Sequence, residues 1–87
     1  MTWRTEFLPA AEREFGKLDS ATQRSIVHYL DKLLSVKDPR TRGKALRGGK
    51  SGLWRYRVGK YRLICKIEEG RFVILVIRVA KRDTVYD

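Results

Sequence analysis

The side chains in this sequence best suited to chemistry are a set of arginines and one late tyrosine. In Leu53-Trp54-Arg55-Tyr56-Arg57-Val58, Arg55 and Arg57 lie two residues apart, a spacing that puts both on one face of a β-strand. Arg62 follows a tight turn at Gly59-Lys60 and falls across from them on the next strand. Arg78, Lys81 and Arg82 close the last apolar run, and Tyr86 stands four residues beyond Arg82. Arg47 and Lys50 precede the arginine-bearing strand in a glycine-rich stretch. Like charges side by side repel, which costs stability until an anion arrives. Guanidinium forks suit phosphate oxygens bidentately, so the set points to nucleic-acid phosphate. The plainer alternative is a scatter of unrelated surface arginines.

Ordinary catalytic constellations are missing. The single histidine, His28, lies mid-helix between Ile26 and Leu30 and reads as a surface or boundary residue. One histidine and one cysteine cannot build a His–Cys metal cluster, so no metal or cofactor is expected. Cys65 falls on the inferred core side of its strand, where a thiol is usually inert. Gly48-Gly49 beside Lys50 is too little to make a phosphate loop.

The elements that must position these residues follow from periodicity. Thr2 to Phe7 reads as a short strand, and Pro9 opens a helix, where its missing N–H costs nothing. Leu8, Ala11, Phe15 and Leu18 give that helix one apolar face, and Gly16 weakens its end. Ser20 with Gln23 fits a capping box for a second helix, whose stripe is Ile26, Leu30, Leu33 and Leu34. Pro39 forbids its continuation. Residues 40–52 read as a basic, glycine-rich loop. The period then becomes two. Trp54, Tyr56 and Val58 alternate with Arg55 and Arg57, while Tyr61, Leu63, Cys65 and Ile67 alternate with Arg62, Ile64 and Lys66. Glu69-Gly70 reads as a hairpin turn, and Phe72 to Val79 as a central strand covered on both faces. The order is β-α-α-β-β-β in an α+β fold. An antiparallel helix hairpin packs on one face of a small, mostly antiparallel sheet, with the first strand beside the last.

Length and charge fit this. The chain has 87 residues, 43% of them apolar, enough for one domain spanning 1–87 and too few for two. Its net charge of +10 is unevenly placed. Residues 1–38 hold six basic and six acidic side chains; residues 39–82 hold fourteen and two, a net of +12. A neutral scaffold joined to a cationic half suits a polyanion partner better than it suits solubility alone. A lone cysteine and the lack of any long apolar run fit a reducing, cytoplasmic setting without a membrane span.

Three segments in order resemble the RelE/ParE family of toxin–antitoxin toxins: Lys44-Ala45-Leu46-Arg47-Gly48 ahead of the Arg55 strand, Gly59-Lys60-Tyr61-Arg62-Leu63, and Val79-Ala80-Lys81-Arg82-Asp83 through Val85-Tyr86. The likeness covers essentially the whole chain and implies the RelE-like, microbial ribonuclease-type fold. On its RelE-like branch it implies a ribosome-dependent, metal-independent endoribonuclease that cuts messenger RNA in the decoding site. The 2′-hydroxyl attacks the adjacent phosphate, giving a 2′,3′-cyclic phosphate and a 5′-hydroxyl. The resemblance makes Arg57, Arg62, Arg82 and Tyr86 catalytic, with Arg47, Lys50, Arg55, Lys60, Arg78 and Lys81 holding RNA or ribosome. Arg55 and Arg57 stand where the family often has lysines. A guanidinium stays charged, so Arg57 keeps the electrostatic role but not that of a general base, which leaves Tyr86, Lys60 and Lys81 open. Implied partners are a cognate acidic antitoxin, the ribosome and message, with operator DNA only through the antitoxin complex. The ParE-like branch implies DNA gyrase inhibition instead, and a non-catalytic RNA-binding accessory domain is a third reading.

Overall fold

A computed structural model describes residues 3–46 and 52–81. The elements are β1 (Arg4–Phe7), α1 (Pro9–Gly16), α2 (Ser20–Leu34), β2 (Lys44–Ala45), β3 (Leu53–Val58), β4 (Tyr61–Glu68) and β5 (Val73–Lys81), with 3-10 turns at Pro39–Arg42 and Glu69–Arg71. They form one five-stranded sheet in the order β1-β5-β4-β3-β2. β1 lies parallel to β5, and the other neighbours are antiparallel. The apolar β5 is thus a middle strand, as its composition predicts.

Two helices cover one face. α1 begins at Pro9, after Leu8 in extended backbone, and buries Ala11. α2 buries Ile26, Leu30 and Leu33, each contributing about 1.5–3 kcal/mol by leaving water. These meet Tyr56, Leu63, Cys65, Ile74, Val76 and Val79, with Trp54, Val58, Tyr61 and Ile67 packed at the margin. The helix-facing side of the sheet is the side alternation assigns to it, so Arg55, Arg57 and Arg62 belong to the opposite face.

Several local expectations need correction. The helix cap is Asp19 rather than Ser20; Gln23 Nε2 instead donates to Phe15 O at 2.9 Å, tying α2 to the end of α1. Leu8 is exposed rather than part of the core. The stretch 40–52 is not wholly loop, since Lys44 and Ala45 pair with Arg55 and Trp54. The β4–β5 connection is a 3-10 turn ending at Phe72 in the left-handed region (φ +54), so the last strand starts at Val73. Such backbone is costly for a bulky residue. Phe72 packs edge-to-face on Trp3 with ring centroids 5.3 Å apart, a contact that offsets part of that cost. Finally, pairing jumps from Ile64↔Arg78 to Cys65↔Val76, leaving Ile77 as an extra residue in β5.

Candidate nucleic-acid interface

Two rows of side chains cross the helix-free face. Lys44 is opposite Arg55, Arg55 opposite Ile64, and Ile64 opposite Arg78; beside them, Arg57 is opposite Arg62 and Arg62 opposite Ala80. Directly opposite residues share a face at close range, so Lys44/Arg55 and Arg57/Arg62 are two like-charge cross-strand pairs. The tight β3–β4 turn fixes the second pair. Gly59 has φ +58, a conformation open to glycine at the first turn position, and Val58↔Tyr61 closes the hairpin.

The two arginines of that pair differ in access. Arg57 is exposed. Arg62 is 8% exposed, the one buried charged side chain among the described residues. A charge at such a site acts through a lower dielectric than one in water.

Arg55 and Arg57 line a groove of about 400 Å³ together with Thr41, Arg42, Gly43 and Lys44. Four of these six lining residues are cationic and none is acidic. Arg42 and Lys44 did not enter the sequence reading of the site. Their signal was present: they alternate about Gly43 within the basic segment.

The wall they stand on is held from beneath. Tyr56 is 1% exposed, and its hydroxyl donates to Pro39 O at 2.8 Å. Burial pushes that hydroxyl's pKa upward, so Tyr56 is a structural strut rather than a proton carrier. Gly43 lies against its ring, where an added Cβ would sit 2.8 Å from Tyr56 Cε1. Arg40 is ion-paired with Asp38 at 3.0 Å and Glu69 at 2.8 Å, and Glu69 and Asp38 raise its pKa in turn.

Other basic residues are placed elsewhere. Arg78 binds Glu14, with Nη2 at 2.7 Å and Nε at 2.9 Å. The other oxygen of Glu14 accepts the Val79 N–H at 2.8 Å, capping β5 beyond the end of β1. Partial burial pushes the Glu14 carboxyl up, but Arg78 and the Val79 N–H outweigh it and hold its pKa below the ordinary value. Arg71 is paired with Glu6 and Glu68. Lys60 and Lys81 line a separate concavity of about 450 Å³ with Thr22, Ser25, Val58, Gly59 and Tyr61; Lys81 is opposite Tyr61, on the helix side of the sheet. Arg47, Lys50, Arg82 and Tyr86 lie outside the described residues. Burial raises the pKa of Cys65, and His28 is exposed on α2, so both keep the roles inferred from sequence. A larger groove of about 870 Å³ follows the outer side of α2. Its lining mixes Arg24 with Asp31 and lies away from the arginine face.

Among the described residues, the groove therefore offers cationic side chains to a phosphate and no acidic lining. The profile of the family described as ParE toxin of type II toxin–antitoxin system, parDE, matches residues 5–86. The chain is a member of this family. Toxin RelG of Mycobacterium tuberculosis is 29% identical over 86 residues, covering 99% of this chain and 98% of that protein. The chain in a RelBE toxin–antitoxin complex from the same organism superposes with TM-score 0.82 at 26% identity, covering 94% of this chain and 100% of that one. The archaeal RelE–RelB complex of Pyrococcus horikoshii gives 0.77 at 26% identity, with 98% and 100% covered. This RelE/ParE protein is thus a toxin of a type II toxin–antitoxin system, and its two helices on a five-stranded sheet are the fold of the RelE structures.

Proposed function

We propose that this toxin is a ribosome-dependent endoribonuclease that cuts messenger RNA and so halts translation. The observation that carries the reading is the groove holding Arg55 and Arg57, with no acidic lining among the described residues, and Arg62 directly across from Arg57. In the reaction the 2′-oxygen bonds to the neighbouring phosphorus and the bond from phosphorus to the 5′-oxygen breaks. A 2′,3′-cyclic phosphate and a 5′-hydroxyl result, after a proton leaves the first oxygen and another reaches the second. Preorganised guanidinium groups stabilise the charge on the five-coordinate phosphate. Arg57, accessible at the groove, touches that phosphate, and Arg62 supports it from the buried side. The family resemblance adds Arg82 and Tyr86 to the catalytic set. Arginine stays protonated, so proton transfer falls to Tyr86 or to substrate groups aligned by the ribosome. Positioning by the ribosome supplies what the sparse acid–base set lacks.

Purified toxin added to programmed ribosomes, with cuts mapped by primer extension, tests the proposal. Cutting in the message on ribosomes, with weak activity on naked RNA, is the expected outcome; intact message at stoichiometric toxin overturns it. The ParE description of the matching family favours a second reading, inhibition of DNA gyrase. Inhibition of supercoiling at low dose would support that reading instead.

The RelBE and RelE–RelB complexes named above support a cognate antitoxin for this chain. We take it to be an acidic segment that folds over the basic face and the apolar surface beside the helices, with operator DNA reached only through that complex. No helix among the described residues is long and apolar enough to cross a membrane. Work on ribosomes places the toxin in the cytoplasm.

A further inference from the structure

We propose that Arg42 and Lys44 form, together with Arg55, a binding site for the phosphodiester backbone of RNA outside the reacting centre. The inference rests on the RNA-directed reading and assigns these two residues to holding RNA, not to breaking a bond.

Three observations carry it. The first is placement. Lys44 is directly opposite Arg55, so the cationic strand pair β3–β4 gains a third, outermost strand. Gly43 turns inward against Tyr56, and its neighbours Arg42 and Lys44, two residues apart, are both exposed. The second is fixity. The Tyr56–Pro39 hydrogen bond, the close Gly43–Tyr56 approach and the Asp38–Arg40–Glu69 pairing hold the backbone that carries these cations. A site held in advance loses less entropy when its ligand arrives. The third is selective lack of neutralisation. Arg40, Arg71 and Arg78 are each matched to carboxylates, whereas no acidic residue among those described lines the groove containing Arg42 and Lys44. Lys44 stands directly across from Arg55, and a polyanion lying along the groove relieves the repulsion between like charges placed side by side. RNA is the polyanion favoured here, because the groove is continuous with Arg55 and Arg57.

The test uses the double variant Arg42→Gln/Lys44→Gln in the full chain. Binding is measured to message-free ribosomes and to a short single-stranded RNA over a salt series, alongside cutting on programmed ribosomes. Each lost phosphate contact should lower the salt slope by about 0.7–0.9, so the pair should lower it by about 1.5. KM for programmed ribosomes should rise roughly tenfold or more while kcat stays within about twofold, as expected for uniform binding. The charge-keeping pair Arg42→Lys/Lys44→Arg should restore the affinity, which a merely structural role would not require. Loss on ribosomes assigns the site to ribosomal RNA and loss on the oligonucleotide assigns it to message; either supports the inference. Unchanged affinity and slope, or a fallen kcat at constant KM, overturns it while the RNA reading stands. Wild-type toxin with no affinity for either RNA overturns both.

Discussion

Replacing Glu14 separates the charge of its carboxylate from its role as a backbone cap. Its two oxygens join the end of α1 to β5: one takes the Val79 N–H at 2.8 Å and the other the Arg78 guanidinium at 2.7 Å. Hydrogen bonds to a charged group contribute about 1.5–3 kcal/mol each. The Glu14 side chain is 27% exposed and that of Arg78 39%, so screening by water reduces the joint loss in Glu14→Ala to about 2 kcal/mol. In a domain of this size about 1 kcal/mol moves Tm by ~4–8 °C, giving a fall of ~8–16 °C. Glu14→Gln keeps an acceptor for Val79 but loses the charge, and should lie about halfway. The pH dependence follows from the direction of the shift. The folded pKa of Glu14 is held below its ordinary value of 4.5, so this stabilisation is fully present above that value and disappears as pH falls through the folded pKa. Thermal unfolding by circular dichroism, from about pH 7 to about pH 3, should show the wild-type advantage over Glu14→Gln closing in acid. A glutamine variant as stable as wild type at neutral pH, or a gap constant across the series, would refute the reasoning. The consequence reaches function, because Val79 is three residues from Arg82 along the chain.

Gly43→Ala should destabilise the toxin by about 1–3 kcal/mol through overpacking against Tyr56, read as a lower urea midpoint, and should weaken RNA binding although no charge is removed. Tyr56→Phe deletes the hydroxyl that satisfies Pro39 O and should cost about 1–2 kcal/mol; an unchanged midpoint would mean the strut carries nothing. Arg82→Ala should abolish cutting on programmed ribosomes with Tm unchanged, whereas full activity would move the catalytic face elsewhere. Arg62→Ala should also abolish cutting but lower Tm, since Arg62 is buried; cutting is therefore assayed well below the variant's own transition.

Much of the architecture was legible because it rests on local periodicity. Trp54, Tyr56 and Val58 alternate with Arg55 and Arg57, and the observed core takes the first set. The near-continuous apolar run at 73–79 required neighbours on both sides, and β1 and β4 supply them. What escaped was set by partners far along the chain. Lys44-Ala45 is too short to announce a strand and is one only because β3 offers an edge. The left-handed Phe72 has no glycine or asparagine to signal it, and its aromatic partner is Trp3. The extra residue at Ile77 reflects a pairing shift along β4, which an unbroken apolar run conceals.

The same distinction governs the charge. Net charge per segment counts a cation whether or not an acid waits for it in the fold. Arg40 and Arg71 fall in the +12 segment, yet they serve as clasps to Asp38, Glu69, Glu6 and Glu68. Arg78, placed with the RNA contacts on sequence grounds, meets Glu14 from 64 residues away, a pairing no local pattern can express. Its charge is already balanced, so Arg78 has less to offer a phosphate than Arg57 or Lys44. A cation without a carboxylate partner keeps its charge available to an external anion. The groove of Arg42, Lys44, Arg55 and Arg57 has no acidic lining among the described residues, and two of its cations, Arg42 and Lys44, fall in the stretch 40–52, which carries no periodic strand signal. Segment charge therefore points to an anionic ligand only as a class, and the fold's internal ion pairing narrows which of the described cations are available to one.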